Sequence, residues 1–157
     1  MRTRSFRALV YVGGGLGLIA ATFAAGEFFD AQLTKACSVN GFFSCSLIAE
    51  SGKTSTLGIP DWIWGIAGFV VILALAVLAE RRRKDSRMAY ALLAVTTAGV
   101  ALSLYLLYVE LVEIGGLCPV CVTAYLLGGV AWVGSVGLAV RAYRRDHRAP
   151  ETEAVGP

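Results

Sequence analysis

The sequence predicts an all-α membrane protein: a four-transmembrane-helix bundle with an extracytoplasmic capping loop or short helix between the first and second spans. Three observations carry that expectation. Hydrophobic residues make up 57% of the 157 and charged residues only 16%, where a soluble domain carries about a quarter charged. The apolar residues include four runs long enough to cross a bilayer. The basic residues collect in the segments that flank those runs. No basic patch interleaved with aromatics points to nucleic acid, and there is no acidic block. One membrane domain over 1–157 is expected, with spans at about 8–26, 61–79, 88–110 and 119–140.

The first run follows Arg2, Arg4 and Arg7. A secretory signal shares that basic start and a small-residue end like Ala24-Ala25-Gly26. The apolar stretch is long for a signal core, however, and Gly13, Gly14, Gly15 and Gly17 suit close helix–helix packing. A retained span is the reading.

Residues 27–59 are too polar to span and too long for a tight turn. Phe28, Phe29, Phe42, Phe43, Leu47 and Ile48 suit loops or short helices lying on the membrane surface as a cap. Pro60 then marks a helix start, and Trp62 and Trp64 stand where interfacial aromatics belong. A short basic loop, Glu80 to Arg87, leads to the third span. A second polar loop is read from Glu110 to Leu117, where Glu110 and Glu113 sit close to the CxxC pair; solvated loop charges are the favoured reading and proton acceptors the other. Thr96, Thr97 and Ser103 are read as hydrogen-bonding glue between helices. The fourth span begins at Pro119, and the Pro- and Glu-containing end of the 141–157 tail is expected to be disordered.

Three Lys or Arg precede the first span, five lie between the second and third, and four follow the fourth, against only Lys35 and Lys53 elsewhere. Basic residues in short loops mark the cytoplasmic side. A multi-pass protein of the cell membrane is therefore expected, with both termini cytoplasmic and all four cysteines on the extracytoplasmic face, where disulfides persist.

Those cysteines form two pairs, Cys37-x7-Cys45 in the cap and Cys118-Pro119-Val120-Cys121 at the head of the last span. The CxxC spacing puts both sulfurs in a helix's first turn, where backbone N–H groups favour a thiolate. Two structural disulfides bracing a non-catalytic membrane scaffold are one reading, but a CxxC bridge closes too short a loop to restrain an unfolded chain. Zinc is a second, but the seven-residue spacing is not a zinc knuckle and His147 lies in the tail, so no metal is expected. The third reading uses both pairs. A partner dithiol docks on the water-facing pair, electrons pass by thiol–disulfide exchange to the CxxC pair, and a lipid-soluble quinone takes them at the membrane edge.

Cys37-x7-Cys45, Ser51 six residues later, and Cys118-Pro-Val-Cys121-Val-Thr-Ala-Tyr125 together resemble the vitamin K epoxide reductase family in its stand-alone prokaryotic form. The resemblance runs from the first span to the end of the fourth. The unrelated four-helix disulfide-generating quinone reductases of bacteria place their CxxC earlier, near the second span, and match less well. The resemblance implies a quinone-dependent thiol oxidoreductase that generates disulfides, with a menaquinone- or ubiquinone-type acceptor. It implies that Cys37 meets the partner, that Cys45 forms the inter-pair disulfide with Cys118, and that Cys121 faces the quinone. Depth in the first turn would give Cys121 the stronger backbone support for that role. Ser51 is implied as a hydrogen-bonding helper and Tyr125 as a quinone-pocket residue, with a membrane-interface anchor as the other reading of Tyr125.

Asp61 stands where the vertebrate enzymes carry a quinone-contacting Asn; beside it, Trp62 is read first as part of the interfacial belt, with contact of Trp62 or Ile63 to the ring as the other reading. An ionised Asp does not donate, which argues against vitamin K epoxide itself as substrate. Many bacterial relatives carry a fused thioredoxin-like domain after the fourth span. Here the expectation is a separate thioredoxin-like partner with its own CxxC pair.

Overall fold

The computed structural model describes residues 2–51, 55–56, 58–82 and 85–153. Four long helices dominate it: α1 (Arg2–Phe29), α4 (Asp61–Arg81), α5 (Ser86–Tyr108) and α6 (Pro119–Glu153). Each is long and apolar enough to cross a membrane. Between α1 and α4 lie α2 (Ala31–Cys37), α3 (Cys45–Glu50) and a small antiparallel hairpin, β1 (Ser55–Thr56) with β2 (Ile59–Pro60). The fold is the expected all-α bundle with a cap at one end.

Helix α1 packs on α4 and α6, and α5 packs on the same two, so the four helices close a ring. Its core is Val10, Ala21, Phe69, Ile72, Ala76, Leu92 and Ala131. Large side chains such as Ile19, Leu104 and Leu126 stay outside, more than 60% exposed, as helices facing lipid require. Small residues set the α1–α6 approach. A Cβ on Gly13 would fall 2.6 Å from the Leu127 carbonyl oxygen, and one on Gly134 would fall 2.7 Å from that of Phe6. Gly14 and Gly17 face Leu73 and Phe69 on α4, whereas Gly15 meets nothing within 4 Å and does not belong to the packing face.

Thr96 and Ser135 hydroxyls hydrogen-bond at 2.7 Å between α5 and α6, and Trp132 Nε1 donates to Thr97 Oγ1 at 3.0 Å. Ser103 differs from expectation: its hydroxyl donates to the Gly99 carbonyl of its own helix, a local bond open to any mid-helix serine.

Two segments depart from the sequence reading. The expected loop at 110–117 is helical through Ile114, because α5 continues into a π-helical turn, Val109–Ile114. The wider π turn inserts an extra residue and re-aims those that follow, and Val109 and Glu110 are buried. Gly115, at φ 76°, ends it. The tail expected to be disordered is helical as far as Glu153. The Leu138–Arg148 stretch is rich in Ala and Arg and holds no Gly to stop α6. Residues 154–157, like Lys53, Arg83 and Lys84 of the charge pattern, lie outside the described residues.

In the cap, Phe29, Phe42, Phe43 and Leu47 are exposed, whereas Ile48 is buried. Phe28 lies among the residues whose side chains are not described.

Candidate redox site

The two cysteine pairs meet because backbone hydrogen bonds lock the cap onto the short connection before α6. Leu117 N–H donates to the Phe42 carbonyl at 2.8 Å and Ser44 N–H donates to the Leu117 carbonyl at 3.0 Å, forming a parallel bridge between Phe43 and Leu117. The residues that follow each bonded partner are Cys45 and Cys118. Gly116 makes the approach possible, since a Cβ there would lie 3.2 Å from the Phe42 oxygen and nearer still to Leu47.

The turn between Cys37 and Cys45 is held by its own side chains. Asn40 Oδ1 accepts from the N–H groups of Phe42 and Phe43 at 3.0 and 2.8 Å. The hydroxyls of Ser38, Ser44 and Ser46 hydrogen-bond with one another, and Ser44 also caps α3 by accepting from Leu47 N–H.

Cys37 and Cys45 are joined as a disulfide, and Cys118 and Cys121 are free thiols. Cys118 Sγ lies 3.3 Å from Cys45 Sγ, and both residues are buried. With Ile48 they form the centre of a small cluster separate from the bundle core. Cys118 occupies the cap position of α6: its carbonyl accepts from Val122 N–H, and its sulfur accepts from Cys121 N–H at 3.3 Å. The backbone support expected at the Cys121 sulfur therefore falls on Cys118. Cys121 is already inside the first turn and donates its N–H outward, as first-turn residues do.

The structure overturns the expectation of a solvated charge at Glu110 and agrees better with the other reading, a group beside the cysteines. Glu110 is 4% exposed. Its Oε2 accepts from Cys118 N–H at 3.2 Å, its Oε1 accepts from Tyr125 O–H at 2.8 Å, and the carboxyl group also interacts with the Cys121 thiol. The π turn explains the burial, and no hydrophobic periodicity signals it. Glu113, one turn on, is exposed as expected. Tyr125 points its hydroxyl into the site and is only partly exposed.

Glu27 is a second residue the sequence reading passed over. It ends the first span, is 7% exposed, and has a carboxylate oxygen within 4.8 Å of the sulfurs of Cys37, Cys45 and Cys118. A carboxylate at the end of an apolar span was the available signal. These four groups are not a ready metal site. Thiolates are the ligands of soft metals, and Cys37 and Cys45 are engaged with each other, leaving one thiol and one carboxylate where a closed zinc site takes four ligands.

The sulfurs open onto a cavity of about 200 Å³ that runs between the four long helices from Cys45 and Cys118 to Thr96. Small residues make the room: Ala21, Ala24, Gly65, Gly68, Gly99, Ala124 and Gly128 all line it. Phe69, Ile72, Val100 and Leu106 keep its wall apolar, while Glu27, Asp61, Glu110, Cys121 and Tyr125 line it too. An apolar slot with a few polar groups suits a flat, lipid-soluble ring. Trp62 lines the cavity and meets Phe29 edge-on at 5.8 Å, and Asp61 Oδ1 accepts from the Thr56 hydroxyl at 2.6 Å. Trp64, expected at the membrane interface, is exposed and donates to the Thr56 carbonyl at 3.3 Å.

Ser51 is placed differently from the other expected residues. Its hydroxyl donates to the Ile48 carbonyl at 2.6 Å, closing the end of α3, and it does not line the cavity.

Residues 8–142 match the protein-family model described as the Vitamin K epoxide reductase family. That range holds the whole cap, all four cysteines and most of every long helix. The chain belongs to the vitamin K epoxide reductase family.

Proposed function

We propose that the chain is a membrane thiol oxidase that takes two electrons from a separate thioredoxin-like protein and delivers them to a membrane quinone, leaving a disulfide in its partner. Family membership points to the coarse class, a thiol oxidoreductase of a quinone-associated family. The finer reading is carried by one observation: the 3.3 Å approach of a free CxxC sulfur to a cap disulfide, at the mouth of an apolar cavity.

The exchange balances in four displacements. A partner thiolate attacks Cys37 of the Cys37–Cys45 disulfide and releases Cys45. The partner's second thiol resolves that bond, releasing Cys37 and closing the partner's disulfide. Cys45 then attacks Cys118 of an oxidised Cys118–Cys121 pair, releasing Cys121. Cys37 attacks Cys45 in turn, restoring the cap disulfide and leaving Cys118 and Cys121 as the dithiol. That final arrangement, cap oxidised and CxxC reduced, is the one in the structure.

A bound quinone would supply an acceptor for two electrons and two protons. Toward it, Cys121, which lines the cavity together with Cys45 and Cys118, is the sulfur left for the quinone once those two exchange with each other, and Phe69 and its neighbours exclude water. Glu110 holds the Tyr125 hydroxyl and the Cys121 thiol on one carboxyl group, which makes it the point through which thiol protons leave. Glu27 has the corresponding position among the three exchanging sulfurs. Asp61 and Trp62 border the ring, and Ser51 acts by ending the helix that carries Cys45. The basic-residue pattern supports cytoplasmic termini and extracytoplasmic cysteines.

A two-cysteine variant tests the exchange. Cys37→Ala with Cys121→Ala leaves only the close pair, and mild oxidant is expected to convert it fully to a Cys45–Cys118 disulfide seen by peptide mass spectrometry. If that pair stays reduced while Cys45→Ala with Cys121→Ala cross-links readily, the assignment of the exchanging sulfurs is wrong.

A further inference from the structure

At the end of the bundle opposite the sulfurs lies a second cavity of about 380 Å³, between α1, α4, α5 and α6. Arg7 from α1 and Arg141, Arg144 and Arg145 from α6 converge on it, against two carboxylates, Glu80 and Asp85. Those carboxylates are engaged. Glu80 accepts from Arg7 and from the Tyr11 hydroxyl, each at 3.1 Å, and Asp85 caps α5 by accepting from Arg87 N–H. Arg144 has no hydrogen-bond or ion-pair partner among the described residues. The rest of the lining is largely apolar, with the buried Val10 and Ala76 beside Ala79 and Leu138.

Cytoplasmic topology needs only that basic residues flank the spans. It does not need them to face one cavity from two helices far apart in sequence. We propose that this cavity binds a phosphate anion, carried by the headgroup of an anionic phospholipid. Guanidinium groups match phosphate oxygens in geometry and charge, and basic pockets between transmembrane helices are suited to anionic headgroups. The apolar floor favours a lipid over a free ion, since it has no use for water-soluble phosphate but suits the first carbons of an acyl chain. The site is independent of the redox chemistry at the other end.

The test uses the full chain in detergent with defined lipids, read by native mass spectrometry. Wild type is expected to retain dioleoyl-phosphatidylglycerol over dioleoyl-phosphatidylcholine, and Arg144→Gln with Arg145→Gln is expected to cut that retention roughly tenfold or more. Ala89→Leu, which narrows the cavity without changing charge, should also reduce it. Arg81→Gln with Arg87→Gln, at exposed arginines outside the cavity, should not.

Inorganic phosphate alone gives the second arm. If it raises the thermal midpoint of wild type but not of the Arg144/Arg145 variant, the anion site stands with free phosphate as an occupant. Equal retention of the two lipids together with no phosphate effect overturns the proposal. So does an equal loss of retention in the Arg81/Arg87 variant, which would make the effect one of general surface charge.

Discussion

Glu110 gathers more of the site than any other single residue, since one carboxyl group joins the Cys118 backbone, the Tyr125 hydroxyl and the Cys121 thiol. A glutamine in its place keeps the size but has one acceptor oxygen instead of two. Glu110→Gln should therefore lower the rate of quinol formation by about 100-fold, the lower range for losing an acid–base group, while Glu113→Gln leaves it unchanged. Full turnover in Glu110→Gln would remove the carboxylate from the proton path. Tyr125→Phe should lower the rate less, because it removes a single 2.8 Å bond and leaves the carboxylate in place. At this scale the sequence singled out the four cysteines, Asp61, Trp62 and Tyr125, and the structure gathers them around one cavity and its neighbouring disulfide. Glu110 was legible only as the less favoured of two readings, a proton acceptor, and Glu27 not at all. A glutamate in a short polar stretch or at the end of an apolar span carries no local sign of which sulfurs it will meet, and only the π turn and the cap bring the groups together.

Among elements, two connections decide the geometry. The first is the α1–α6 contact, where helix backbones approach across Gly13 and Gly134. Gly134→Ala must push the Phe6 backbone away and should cost about 1–3 kcal/mol, the usual range for overpacking. Gly129→Ala, on the same helix with nothing within 4 Å of its added Cβ, should be neutral or gain stability through helix propensity. Thermal unfolding of the two variants in detergent makes the comparison, and equal midpoints would contradict the packing account. The glycine run was legible as a packing face, but not which of its members face a neighbour.

The second connection is the bridge from Phe42 through Leu117 to Ser44. Leu117→Pro removes the N–H that bonds Phe42, so cross-linking of Cys45 with Cys118 should slow at least tenfold, the factor for about 1.4 kcal/mol, with helix content unchanged by circular dichroism. Undiminished cross-linking would mean that the bridge does not hold the pairs together. This bridge spans residues more than seventy positions apart and has no local signature. From the residues alone the two pairs could be placed only on the same side, and the contact between Cys45 and Cys118 came from family resemblance.

For the whole molecule, composition and the spacing of apolar runs were enough to predict a four-helix membrane bundle, because a bilayer constrains length and polarity more strictly than water does. Orientation rests on the basic residues. A fluorescent-protein fusion after His147 should be bright and an alkaline phosphatase fusion at the same place inactive; the opposite pattern would turn the protein over and put the cysteines in a reducing compartment. The bundle then divides its labour by end, with sulfurs, carboxylates and the apolar slot at one end and the arginine-lined cavity at the other.

The central claim is that electrons cross from a dithiol to a quinone through Cys121. Purified protein should be mixed with a reduced CxxC protein and a short-chain naphthoquinone, and quinol formation followed by ultraviolet absorbance with the protein-free rate subtracted. Wild type should form one quinol for each disulfide made in the partner, and Cys121→Ala should fall to background. Equal rates in the two proteins, or a wild type whose four sulfurs stay unchanged on adding quinone, would contradict the account.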